Sequence, residues 1–134
     1  MKVQVLFIGK PRSRALNDAA DEYAKRLGRY CRFEMTEIRG EADAVAIQKP
    51  LRIALDPLGK QLSSDGLAKL LETAGRDIIF FVGGAEGFSD DFRGQADRLL
   101  SLSEMTLPHE LARLVLVEQV YRAFTILRGH PYPK

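Results

Sequence analysis

The sequence predicts a single α/β domain, residues 1–134, with a mostly parallel sheet and helices on both faces. Short apolar runs alternate with stretches of helical periodicity, the pattern of parallel βαβ units with right-handed crossovers. The run IIFFV at 78–82 is apolar without interruption, which marks a central strand covered on both faces. A length of 134 residues suits one hydrophobic core and is short for two.

Taken in order, residues 3–8 alternate and then run apolar into Gly9, as a strand entering a loop does. A helix follows, with Ser13 as its N-cap, apolar positions at Leu16, Ala20, Tyr23 and Leu27, and Gly28 as its stop. Phe33, Met35 and Ile38 mark a second strand that closes at Gly40. Residues 41–49 leave room for only a short helix before Pro50. A third strand spans 51–55 and is broken by Asp56-Pro57. Ser63 or Ser64 caps a helix carrying Leu67, Leu70 and Leu71, ended by Gly75. After the central strand, Ser89 caps a helix from 90 to about 100, with Asp90 and Asp91 in the first turn where the macrodipole favours them. Residues 105–107 form a brief strand, and Pro108 opens the last helix.

Composition narrows the function classes. Apolar residues are 46% and charged residues 28%, the balance of a soluble globular protein. The one cysteine, Cys31, has no internal partner, which fits a reducing cytoplasm. The N-terminus lacks a signal-peptide pattern. Arg113, Glu118 and Arg122 interrupt the only long apolar stretch, so no membrane-spanning segment is expected. The net charge is +2, yet residues 1–32 hold eight Lys or Arg against three Asp or Glu. That basic third, with Lys10, Arg12, Arg14, Lys25, Arg26, Arg29 and Arg32, is either a nucleic-acid footprint or a solvated helix face.

Two stretches stand out for chemistry. VGGAEGFSDD, 82–91, follows the central strand, where ligands of α/β sheets bind beyond the strand ends. Its glycines do not fit a dinucleotide fingerprint or a Walker loop, but they let backbone approach a ligand closely. Glu86 argues against a phosphate and tolerates ribose hydroxyls or a positively charged ligand. SLSEMTLPHEL, 101–111, offers backbone donors and acceptors to an adenine, with Leu102, Met105 and Leu107 to cover its faces. His109 reads either as an acid or base or as a structural histidine in a first turn.

From Glu110 to Arg128 twelve of nineteen residues are apolar and fall on nearly every side of a helix. One sheet face cannot cover such a helix, so a second subunit, in a homodimer, is expected. Glu118 and Arg122 have the spacing of an intrahelical ion pair. The tail RGHPYPK sets Arg128, His130, Tyr132 and Lys134 near the helix end, suited to phosphate contact and base stacking or simply frayed.

Together, LDPLGKQLSS, FFVGGAEGFS, LSLSEMTLPHELARLVLVEQVYRAF and GHPY resemble the RlmH family of SPOUT methyltransferases over essentially the whole chain. The resemblance implies methylation of N3 of a pseudouridine in 23S ribosomal RNA on the assembled ribosome, with S-adenosyl-L-methionine as cofactor. It also implies a C-terminal trefoil knot and a homodimer with each cofactor pocket near the subunit interface. By motif match, the cofactor contacts fall on Leu55, Gly83, Leu102, Ser103, Glu104, Met105, Thr106 and Leu107. Residue type and tail position make His130 and Tyr132 the candidates for handling the base, and Arg122, Arg128 and Lys134 the candidates for RNA phosphate.

Two departures stand against the family pattern. Pro133 occupies the place of a usual histidine, and the segment between the second and third strands is short. Residues 41–49 are close to the minimum for a parallel crossover, about 10–12 residues. The competing readings are a non-catalytic RNA- or ribosome-binding protein that keeps the fold, and another nucleotide-binding α/β domain.

Overall fold

A computed structural model of the chain describes residues 1–133. Five strands, β1 (Lys2–Ile8), β2 (Arg32–Ile38), β3 (Leu51–Gln61), β4 (Ile78–Val82) and β5 (Arg98–Ser101), form one sheet in the order β2-β1-β4-β3-β5. Every pairing is parallel, as the alternation of elements predicts. The crossovers carry helices α1 (Arg14–Leu27), α2 (Glu41–Val45), α3 (Ser64–Thr73) and α4 (Asp90–Gln95), and α5 (His109–Arg128) ends the fold.

Strand side chains alternate between two helix layers. Val3, Val5, Phe7, Ile53, Ile78, Phe80 and Val82 pack with Leu27, Leu67, Leu71 and the middle of α5. Leu6, Ala54, Ile79 and Phe81 pack with Ala44 of α2 and Phe92 of α4 on the opposite face. All five residues of β4 are buried, because this strand has neighbours at both edges and helices on both faces. The hydroxyls of Ser13, Ser63 and Ser89 each accept a backbone N–H of the helix they precede, so all three predicted N-caps are present.

Three expectations are corrected. The helix predicted over 90–100 ends at Gln95, and residues 98–101 form β5. Ala96 turns to extended backbone, and the amide of Asp97 donates to the carbonyl of Arg52 at 2.9 Å, committing the chain to β3. The third strand does not stop at Asp56-Pro57. Leu100 of β5 pairs first with Leu55 and again with Lys60, so residues 56–59 bulge out while the strand continues. A Cβ on Gly59 would lie 2.6 Å from the backbone carbon of Leu99, so only glycine fits this crossing. Finally, residues 105–107 are irregular and join no strand.

The short crossover is closed by a buried cation. Arg52, 2% exposed, sits over the rings of Phe81 and Phe92 at 5.1 and 5.7 Å. One terminal nitrogen donates to the carbonyls of Ala44 (3.2 Å) and Ile47 (2.5 Å), capping the end of α2. Glu41, at the start of α2, accepts from the amide of Ser89 at 2.7 Å and from its hydroxyl at 2.5 Å. A five-residue helix thereby braces the entry to α4.

Helix α5 lies against α1, α3 and β4. Leu116, Val117, Val120, Ala123 and Phe124 are buried within the chain itself, so α5 is better covered than its sequence predicts. Leu111, Leu114 and Val115 remain half-buried, and Ile126 is exposed.

Candidate functional site

The carboxyl ends of β3, β4 and β5 open into a cleft of about 680 Å³, within the usual size range of small-molecule sites. Three loops wall it: 56–59 from the β3 bulge, 83–88 after β4, and 102–108 leading into α5.

The β4 loop answers to its glycines in a way the sequence leaves unseen. A Cβ on Gly83 would lie 3.3 Å from Gly87 Cα, and one on Gly84 would lie 3.5 Å from the Ile8 carbonyl oxygen. Gly87 has φ +73°, a left-handed conformation that favours glycine, and its amide donates to the Gly84 carbonyl at 3.0 Å. The glycines therefore fold the loop tightly on itself and on β1, and the cleft is the space this turn leaves. Glu86 lines it and is exposed, free to face a cation.

On the β3 side, Asp56 is 8% exposed and accepts from the Leu58 amide at 2.8 Å, which shapes the bulge. Its other oxygen meets Arg93 Nε of α4 at 2.7 Å. Both residues line the cleft, and sequence reasoning missed both. The only signal was Asp56-Pro57 itself, read as a strand end. On the β5 side, Ser103 closes the loop: its carbonyl accepts from the Ser101 hydroxyl at 3.0 Å, and its hydroxyl accepts from the Met105 amide at 2.9 Å. Its side chain is thus spent on loop geometry.

Leu55, Gly83, Leu102, Ser103, Met105, Thr106 and Leu107 all line the cleft, and of the predicted cofactor contacts Glu104 alone does not. Apolar Leu55, Val82, Leu100, Leu102 and Leu107 suit a flat aromatic base, while Asp56 and Glu86 suit hydroxyls or positive charge. This mixture fits S-adenosyl-L-methionine, which joins an adenosine to a sulfonium and an amino acid. His109 also lines the cleft, packed against Gly9.

The tail residues lie elsewhere. The Tyr132 hydroxyl is 3.0 Å from the Glu118 carboxylate, to which it donates, and 3.0 Å from the Tyr23 hydroxyl. Burial first, then these two hydrogen bonds, push its pKa upward, so in this position it is a proton donor. His130 Nδ1 is 2.7 Å from the Tyr30 hydroxyl. Arg122 pairs with Glu118 at 2.8 Å, as their spacing predicts, and stacks on the Tyr132 ring at 4.5 Å. Arg128 lies over Tyr30 at 5.8 Å. Lys134 falls outside the described residues. None of His130, Tyr132, Arg122 and Arg128 lines the cleft of its own chain.

Fold and cleft define a cofactor-binding α/β protein whose ligand is held by three loops at the carboxyl edge of a parallel sheet. The family model described as "Predicted SPOUT methyltransferase" matches residues 1–133. The chain belongs to the SPOUT methyltransferase family. The protein named ribosomal RNA large subunit methyltransferase H of Solibacter usitatus is 45% identical over 137 residues, covering 98% of this chain and 99% of its own. Its namesake in Anaeromyxobacter dehalogenans is 42% identical over 153 residues, spanning the whole of both. Among solved structures, a probable methylase family protein from Haemophilus influenzae superposes with TM-score 0.68 at 11% identity, covering 98% of this chain and 72% of that one. The SpoU methyltransferase AviRb of Streptomyces viridochromogenes, solved with AdoMet, superposes with TM-score 0.57 at 14% identity, covering 96% and 58%.

Proposed function

We propose that this chain methylates N3 of a pseudouridine in 23S ribosomal RNA, using S-adenosyl-L-methionine, as a homodimer acting on the assembled ribosome in the cytoplasm. The observation that carries the reading is a cleft lined by seven of the eight cofactor contacts assigned by motif, in a chain related end to end to proteins named for large-subunit ribosomal RNA methylation. The family's trefoil knot belongs to the same reading. No helix among the described residues is long and apolar enough to cross a membrane.

When bound, S-adenosyl-L-methionine would supply a sulfonium methyl that a base nitrogen attacks in line, the N–C bond forming as the C–S bond breaks and S-adenosyl-L-homocysteine departs. The chain's task is then mainly positioning. Leu55, Leu102 and Leu107 would sandwich the adenine, and Gly83, Met105 and Thr106 would meet the rest of the cofactor through the loops they belong to. Glu86 would favour the positive charge. The N3 proton of the pseudouridine passes to His130 or to solvent before or after the new N–C bond forms, and His130 and Tyr132 are the groups we assign to handling the base.

Those two act in a neighbouring subunit's cleft. The Tyr132 hydroxyl sits level with Glu118, nine residues and about 14 Å of helix rise from His109, so the tail does not serve its own cleft. Apolar surface for a dimer is present near the cleft: Leu58 is 80% exposed and Met105 79%. Arg122, Arg128 and Lys134 would then meet phosphate beside the target base.

Transfer of labelled methyl to ribosomes lacking the modification tests the function, with free large subunits and protein-free RNA alongside. Label on the assembled particle alone is the expected result. No label anywhere, with cofactor binding intact, would replace the reading with that of a non-catalytic RNA-binding protein. Light scattering giving a monomer would remove the dimer and with it the role of the tail.

A further inference from the structure

We propose that the loop from β1 to α1, with Lys10 and Arg12, and Arg14 at the start of α1, is an RNA-phosphate contact on the lip of the cleft, held in register by the carboxylate of Glu110. The inference rests on the reading of the substrate as RNA and adds a surface to it.

Position comes first. The loop leaves the carboxyl end of β1, hydrogen-bonded neighbour of β4, and so stands beside the 83–88 turn. Gly9 packs on His109, where an added Cβ would lie 3.4 Å from Nε2, and Ile8 backs Gly84. His109 and Gly84 both line the cleft.

Charge comes second. Lys10, Pro11, Arg12 and Arg14 are all exposed. Among the described residues Lys10 and Arg12 form no ion pair. Arg14 meets Asp18 at 3.7 Å with both side chains mostly in solvent, 94% and 70% exposed, an attraction that a phosphate readily replaces. The neighbouring 83–88 turn carries Glu86. A cleft edge with both signs of charge suits two ligands of opposite charge, a sulfonium and a polyanion.

Stiffness comes third. A carboxylate stands beside these cations, yet it bonds backbone instead of neutralising them. Glu110 Oε1 accepts from the amides of Arg12 (2.8 Å) and Ser13 (3.1 Å) and from Asn17 Nδ2 (2.9 Å). Arg113, 4% exposed and 3.9 Å from the Phe7 ring, donates to the Asn17 oxygen from below. Pro11 fixes one more dihedral. The loop backbone is thus fastened to α5 while its guanidinium and ammonium groups remain free. Exposed cations carried on a fastened backbone make a phosphate site, whereas a merely solvated helix face needs no such fastening.

The test uses the full-length protein with Lys10→Gln, Arg12→Gln and, as a control of equal charge change, Lys69→Gln on the exposed side of α3. Binding to ribosomes lacking the modification is measured by co-sedimentation across a salt series, with methyl transfer and cofactor binding measured separately. Each loop substitution should lower the log–log salt slope by about 0.7–1 and weaken binding at low salt, with cofactor affinity unchanged. The control should match wild type. Loop variants that bind with wild-type affinity and slope, or a control that loses as much, would overturn the proposal. Weakened binding by the loop variants with no methyl transfer even by wild type would keep the contact and discard the enzymatic reading.

Discussion

Gly59→Ala should damage both stability and the cleft, because the added methyl has nowhere to go. It would sit 2.6 Å from Leu99 C and 2.7 Å from Leu100 N and Leu99 O, all backbone atoms with no rotamer to change. Reaching ordinary contact near 3.4 Å needs a shift of about 0.8 Å between the bulge and β5. Overpacking of this kind costs about 1–3 kcal/mol, and a rigid neighbour puts the expectation at about 2–3. At roughly 2.1 cal/mol/K per residue, a chain of 134 residues has an unfolding entropy near 0.28 kcal/mol/K, so Tm should fall by about 7–11 °C. Cofactor affinity should fall too, since Leu55, Leu58, Leu100 and Leu102 line the cleft on either side of the crossing. The matched control is Gly94→Ala, where nothing lies within 4 Å of the new Cβ inside α4. Helix propensity there predicts a gain of about 0.5–1 kcal/mol and a Tm higher by roughly 2–4 °C. Thermal unfolding by circular dichroism at one protein concentration, with calorimetric titration of cofactor, reads both. A Gly59→Ala Tm within 2 °C of wild type would refute the claim that the crossing is closed to a side chain.

Arg52→Ala should cost about 3 kcal/mol in denaturant unfolding, since it empties the space over Phe81 and Phe92 and leaves the Ala44 and Ile47 carbonyls without their donor. Three hydrogen bonds, led by that from the Arg12 amide, hold the Glu110 carboxyl down at about 2, below its ordinary 4.5. A depressed carboxyl pKa stabilises fully above the unfolded value and loses that effect as pH falls through the folded one, so the protection of the Arg12 and Ser13 amides against exchange, relative to the unfolded chain, should fall between about pH 4.5 and 2. In Glu110→Gln this pH dependence should vanish. Burial pushes the Cys31 thiol up to about 11 from 9.0, so its alkylation at pH 8 should run about 100-fold slower than that of a free cysteine of ordinary pKa. Reaction at the free-thiol rate would contradict its packing.

The parts of the fold legible in the sequence are those where local chemistry and tertiary placement agree. Serine caps at 13, 63 and 89 and the apolar run of β4 needed no partner to be recognised. β5 was hidden because RLLS is four residues, too few for a periodicity, and follows a capped helix that helix-favouring residues extend when read alone. The 105–107 stretch is apolar because Met105 and Leu107 face a cleft or solvent, which sequence patterning cannot distinguish from a strand's alternation. At the site, motif match located the β5 loop, whereas Asp56, Arg93 and Gly59 act through contacts 37 to 40 residues away in the chain, which no local reading contains. The tail was read by residue type, and its stowage on Tyr23 and Tyr30 depends on α1 lying beside α5.

The walls of the cleft come from positions 55–58, 82–88, 93, 100–103, 105–109 and 112. A nascent chain therefore has no binding place for a small molecule until nearly its last helix has left the ribosome. The strands that carry the cleft, β3 and β4, pair with each other without β5, but the glycine bulge of β3 is closed only where β5 lies against it. Assembly must wait on contacts between distant parts of the chain, which makes folding slow relative to a helical bundle of the same length. Truncation anywhere before α5 should yield not a weaker binder but a non-binder, because the third wall of the cleft would be missing.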